Sequence, residues 1–146
     1  MTPSLCDLPA REIVRRVRAR ECSAVEVLDS TLERVRAVEG RTPRSAPYVP
    51  DAADRDRIHA FITLTESRAR AQAEAVDRAL AAGEEPGPLA GVPLAVKDIF
   101  CVRGTPSTAG SRILETFVAP YTATPVERLE ASGAVTIGKV NLDEFT

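Results

Sequence analysis

One lysine stands out as a candidate for acid–base chemistry. Lys97 follows the apolar run Val92–Val96 and precedes Asp98. The run predicts a buried strand, so Lys97 should emerge where the sheet meets a loop. A lysine accepts a proton only when neutral, and bringing its pKa from ~10.4 to near 7 takes about 4 kcal/mol of burial or nearby positive charge. Neighbours that could form such a pocket include Gly91, Pro93 and Gly104.

The alternative role of Lys97 is structural. Its amine could pair with an acid, or extend from the strand end into water. Asp98 is the nearest acid in the chain, but adjacent residues of a strand point to opposite faces. The two side chains would therefore not pair directly if both residues are extended. The residues alone leave catalysis and a structural role both open.

Two other patterns are weaker candidates for chemistry. Residues 133–139 have the phosphate-loop spacing GxxxxGK, but Val140 stands where a Ser or Thr must bind magnesium, and strand-forming residues fill the spacing. Cys101 and His59 could act as nucleophile and base only if the fold brought them together. We therefore predict neither a phosphate loop nor a Cys–His site.

Composition narrows the classes of function. The formal net charge is -2, from 19 basic and 21 acidic residues, so no clustered positive charge indicates a nucleic-acid or anionic membrane surface. Three widely spaced cysteines and one histidine cannot supply a zinc site, and we expect reduced thiols and no metal. The polar N-terminus and the lack of an apolar run of ~18 residues predict a soluble, cytoplasmic protein.

The first part of the chain is expected to be helical. Residues 1–40 predict a helical hairpin, its first helix capped by Asp7 with Pro9 in the first turn. Ser23 and Glu26 have the spacing of a capping box for the second helix. Residues 41–57 contain three prolines and few apolar side chains, which predicts a loop insertion.

The remaining residues, 58–146, predict an α/β core. The expected elements are a short strand at 59–64, a helix from Glu66, a strand at Val92–Val96, a helix at Pro125–Ala131 and a strand at Ala134–Ile137. A strand, helix and strand within ~45 residues indicate a parallel, right-handed βαβ unit. Two buried strands with no third neighbour would leave unpaired edges, so we also expect the chain to fold poorly by itself.

Three segments together resemble the N-terminal part of the amidase signature family. They are GPLAGVPLAVKD, STAGSRILETFVAPYTATPVERLEASGAV and IGKVNLDEF. The resemblance extends over nearly the whole chain and leaves out the insertion at 41–57. It implies a partial amidase domain over 1–146, with a helical hairpin followed by a βαβ unit of a mixed sheet. Within the family, TAGSRILETFVAPYTAT is most similar to the A subunit of the aspartyl/glutamyl-tRNA amidotransferases.

The resemblance also implies a mechanism. In the family, the lysine of the VKD motif, here Lys97, is the base of a Ser–cis-Ser–Lys triad. It takes the proton of a nucleophilic serine through a second serine. The nucleophile attacks an amide carbonyl, ammonia leaves, and water hydrolyses the acyl-enzyme. Both family serines follow the NLDEF segment, so Ser107, Ser111 and Ser132 do not correspond to them.

Substrate and partners follow from the same resemblance. In the amidotransferases the amide is that of glutamine, and the ammonia serves transamidation of mischarged Glu-tRNA(Gln) or Asp-tRNA(Asn). The resemblance implies B and C subunits as partners; one of them uses ATP and magnesium, while this chain carries no cofactor. We expect a fragment that carries one member of the triad and is inactive alone. Alternatives are a fragment of another amidase of small amides, or a non-catalytic module that docks onto other subunits.

Overall fold

A computed structural model describes residues 4–39 and 56–146 of the chain. The four helices of these ranges are α1 (Ala10–Arg18), α2 (Ala24–Val38), α3 (Glu66–Ala81) and α4 (Thr124–Ala131). The three strands are β1 (Phe61–Leu64), β2 (Pro93–Lys97) and β3 (Val135–Val140), and short 3-10 turns lie at Leu5–Asp7 and Arg112–Leu114. Most of the predicted insertion at 41–57, namely residues 41–55, lies outside the described residues.

The helix starts show which local signals were reliable. The capping box at the start of α2 is confirmed: the Ser23 hydroxyl accepts from the Glu26 amide at 3.0 Å, and the Glu26 carboxylate accepts from the Ser23 amide at 2.7 Å. The predicted cap at Asp7 is wrong. Asp7 ends a 3-10 turn, and Pro9 takes the N-cap position of α1. The extra turn separates the acid from the helix that it was expected to cap.

The sheet confirms the parallel pairing of the predicted βαβ unit and corrects the expected edges. β2 and β3 are parallel, with α4 between them in the chain, and β1 pairs with β3 antiparallel, giving a mixed sheet of order β1-β3-β2. The expectation of two strands without a third neighbour is wrong, because the segment before α3 supplies that neighbour. β2 is also less buried than its apolar run suggested: Ala95 is exposed, since β2 lies at an edge of the described sheet.

Two apolar clusters hold these elements together. The larger contains side chains of α1, α2 and α3 with Phe61, Val135 and Ile137 of the sheet. The smaller contains Val96 of β2 and Val126 of α4, joined by Val102 from the loop that follows β2. Over the ranges that the structure describes, no helix is long and apolar enough to span a bilayer.

The central strand β3 is irregular on both sides. Its pairing with β2 shifts so that Leu94 faces Thr136 and Ala95 faces Gly138, which leaves Ile137 without a partner on that side. Gly138 lies close to β1: a Cβ there would stand 2.5 Å from the Thr63 carbonyl oxygen. The shift changes which side chains of β3 face the larger core.

Candidate active site

Lys97 lies where its position in the sequence predicted. It is the last residue of β2, its side chain is exposed, and its amine donates a hydrogen bond to the hydroxyl of Thr146. The next backbone amide, that of Asp98, donates to the Val140 carbonyl at 3.0 Å and joins this strand end to β3. The carboxyl ends of parallel strands are where ligands bind in open α/β sheets. Lys97 therefore lies at the edge of the sheet where such sites form, although not in the enclosed pocket that its neighbours suggested.

Asp98 points away from Lys97 and into the protein. Its carboxylate accepts from the Lys139 amine at 2.7 Å, and also from the backbone amide and the hydroxyl of Thr108 at 2.8 and 2.6 Å. Both side chains of the Asp98–Lys139 pair are completely buried. The prediction that Lys97 and Asp98 would not pair is confirmed, because the Asp98 carboxylate is bound on the opposite side.

Lys139 has three acceptors around its amine. Besides Asp98, it contacts the Ser107 hydroxyl at 2.8 Å and the Pro106 carbonyl at 3.3 Å. An ammonium group has three hydrogens to donate, so the charge and all its donors are matched inside the protein. Ser107 and Lys139 are at the distance of a nucleophile and its base, but the buried carboxylate needs the positive charge of Lys139 for its compensation. Ser107 thus has no unpaired amine beside it.

Sequence reasoning missed this buried pair. Lys139 was considered only as the lysine of a phosphate loop, and the rejection of that loop is confirmed because β3 occupies most of 133–139. One signal was present: a lysine inside the run Val135–Val140 has to find a buried acid if the strand is central. Nothing in the sequence identified Asp98 as that acid, since the two residues are 41 positions apart.

The structure also gives no support to a Cys101–His59 site, which the sequence did not predict. His59 precedes β1 and Cys101 follows β2, and these strands lie on opposite sides of β3. The Cys101 thiol is instead a hydrogen-bond neighbour of Tyr121 and raises the pKa of that phenol. Among the described residues, no group of three or more His, Cys, Asp or Glu side chains could hold a metal ion.

A second polar cluster lies near the start of β3. The Glu130 carboxylate accepts from Arg68 at 2.8 Å and from the Thr136 hydroxyl at 2.7 Å, and the Gln72 side chain accepts from the Thr136 amide at 2.8 Å. Burial raises the pKa of Glu130, but the hydrogen bonds from Arg68, Thr136 and Gln72 outweigh it and leave the pKa below its usual range. This cluster ties α3 and α4 to β3 and contains none of the candidate residues.

Both the sequence and the fold relate this chain to known proteins. The sequence profile of the Amidase family matches residues 48–146. The chain is 45% identical over 141 residues to the A subunit of the glutamyl-tRNA(Gln) amidotransferase of Anaeromyxobacter sp. (strain K), covering 97% of this chain and 25% of that relative. The chain thus spans about a quarter of the length of the curated relatives it matches.

Solved structures give the same assignment. The peptide amidase of Stenotrophomonas maltophilia superimposes with a TM-score of 0.76 at 29% identity, covering 95% of this chain and 26% of the amidase. A chain of a vestigial protein complex that reveals the evolutionary origins of an s-triazine catabolic enzyme has a TM-score of 0.80 at 36% identity, covering 94% of this chain and 27% of the other. The family profile matches well over half of the chain, and the fold agrees with it. The chain belongs to the amidase signature family.

Proposed function

We propose that this chain is the N-terminal part of a glutamine amidohydrolase subunit that releases ammonia for transamidation of Glu-tRNA(Gln) or Asp-tRNA(Asn). The observation that carries the proposal is the place of Lys97, exposed at the carboxyl end of a strand that is parallel to the central strand. The similarity to the A subunit of the glutamyl-tRNA(Gln) amidotransferases supports this choice of substrate.

In this proposal Lys97 is the base. Its neutral amine takes a proton, through a relay serine, from the serine that attacks the glutamine amide carbonyl. The same proton then goes to the departing nitrogen, so that ammonia leaves and an acyl-enzyme remains for water to hydrolyse. Both serines belong to the segment that follows NLDEF in the family, and the isolated chain is therefore expected to release no ammonia. Activation of the tRNA with ATP and magnesium is assigned to the partner subunits.

A chimera tests the role of Lys97. This chain replaces the matching quarter of the Anaeromyxobacter sp. (strain K) A subunit, and ammonia release from glutamine is measured with the B and C subunits present. Lys97→Ala should lower kcat by about 10³-fold or more, because the covalent step loses its base. Lys97→Arg is the matched control: it retains positive charge but cannot act as a base, so it should be equally inactive. Activity that survives either substitution would overturn the assignment.

A second candidate function is hydrolysis of other small amides. The structural similarity to the peptide amidase favours it. The same chimera does not decide this, because three quarters of it come from the relative. The discriminating measurement is co-purification of the native gene product with B and C subunits, together with its kcat/KM for glutamine against a C-terminal peptide amide. A higher kcat/KM for the peptide amide and no co-purification would favour the second candidate.

A further inference from the structure

We propose that the buried Asp98–Lys139 pair positions Lys97 for proton transfer, an inference that rests on the base role of Lys97 proposed above. Asp98 and Lys139 are positioning residues here, since neither side chain is exposed to a substrate. The geometry points to this role because Asp98 is bonded to Lys97 in the chain and is held by three hydrogen bonds.

Hydrogen bonds hold the backbone at the end of β2. The carboxylate of Asp98 is held by Lys139 and Thr108, and its amide is held by Val140. The Lys97 carbonyl accepts from the Phe100 amide at 3.0 Å, which closes a tight turn directly after the strand. The backbone of Lys97 is therefore held by the pairing of β2 with β3 on one side and by this turn on the other, so that only the side chain of the lysine can move.

The loop that follows β2 is held by the same buried pair. Through its contacts with Pro106 and Ser107, Lys139 holds this loop against the same carboxylate that anchors Lys97. Thr108 completes the arrangement with its amide and hydroxyl. One buried amine thus links the end of β2, the loop and β3, and the site's backbone is set before any substrate arrives.

A buried ion pair fixes local geometry more strictly than apolar side chains do. Replacing a buried ion pair by well-packed apolar residues is often neutral or stabilising, so stability alone is a weak reason to have one. Directed hydrogen bonds fix distance and angle, which apolar contacts do less strictly. Proton transfer is sensitive to such placement: an error of about 1 Å can cost about 100-fold in rate.

The test uses the chimera described above, with substitutions at Asp98 and Thr108 and a control substitution at Glu130. Asp98→Asn should lower kcat by about 100-fold while KM for glutamine changes less than about twofold, because substrate binding does not use the pair. Thr108→Val removes one hydroxyl from Asp98 and should lower kcat by about tenfold, whereas Thr108→Ser retains the hydroxyl and should restore it to within about twofold. Glu130→Gln disturbs the other polar cluster and is the matched control, with kcat unchanged per folded molecule.

The folded fraction is measured separately. In each variant, mass spectrometry after brief acylation reports how far the Lys139 amine is protected, and kcat is divided by the protected fraction. If Asp98→Asn does not fold, the Thr108→Val and Thr108→Ser variants decide the question alone. If Lys97→Ala is inactive but kcat per folded molecule is unchanged in Asp98→Asn, the positioning role is overturned and the base role of Lys97 stands. Where Asp98→Asn does not fold, an unchanged kcat per folded molecule in Thr108→Val has the same meaning. An active Lys97→Ala chimera, or a chimera inactive with Lys97 intact, would overturn both.

Discussion

Two ion pairs anchor the central strand, and they differ in what surrounds them. The Asp98–Lys139 pair near the end of β3 is completely buried. The Arg68–Glu130 pair near its start leaves about a third of the Arg68 side chain exposed. Water can solvate the second pair when it breaks, but it cannot reach the first. We therefore expect that the first pair fixes the local geometry and that breaking it costs much stability. The second pair should only help to hold α3 and α4 against the sheet.

Breaking the buried pair should have the largest effect on stability. Lys139→Met leaves the Asp98 carboxylate buried without compensation, and we expect the free energy of unfolding to fall by about 3–5 kcal/mol. Urea unfolding of the chimera described above, with and without the substitution, measures it. The double variant Lys139→Met with Asp98→Leu removes both charges and should be more stable than Lys139→Met alone. If the loss in the free energy of unfolding of the double variant equals the sum of the losses of the two single variants, the two side chains do not interact, contrary to what the structure indicates.

A substitution in β3, between the two ion pairs, should have the next largest effect on stability. Gly138→Ala would place a methyl group 2.5 Å from the Thr63 carbonyl oxygen and 2.8 Å from the Phe61 ring, so β1 must move away from β3. We expect a loss of about 1–3 kcal/mol, measured by thermal unfolding. Gly83→Ala is the control: its added Cβ meets nothing within 4 Å, and only the strain of its positive φ remains. Gly138 has no positive φ, so its loss would come from the contact with β1 alone, and a Gly138→Ala variant as stable as the unchanged protein would contradict that contact.

Breaking the partly exposed Arg68–Glu130 pair should have the smallest effect on stability, and that effect should depend on pH. Glu130→Gln is expected to cost about 1–2 kcal/mol at neutral pH, because charge-assisted hydrogen bonds are replaced by neutral ones. The pKa of Glu130 is lowered on folding, so its stabilisation is complete above the ordinary carboxyl value near 4.5 and is lost as the pH falls through the folded pKa. The difference in stability between the protein and Glu130→Gln should narrow below about pH 4.5. A difference that is constant from about pH 7 to about pH 3 would contradict this.

Much of the fold was predictable because its signals are local. The capping box at Ser23 and Glu26 depends on residues three positions apart, and the alanine-rich α3 depends on the propensity of its own residues. The parallel βαβ unit followed from the order of its elements, since a short crossover leaves few alternatives. The cap at Asp7 failed because a turn of a few residues intervened, which helix-start patterns do not resolve.

The sequence by itself determined that Lys97 lies at the end of a strand, because an apolar run followed by Lys-Asp is enough to place it there. That Lys97 is exposed and not enclosed in a pocket was decided by the tertiary structure. Only the tertiary structure decided what Lys139 does. Regular alternation would put Lys139 on the same face as Val135 and Ile137, in the larger core, yet Val140 contacts that core instead. The register shift at Ile137 turns Lys139 toward Asp98. Pairing between distant strands sets that shift, and no local pattern encodes it.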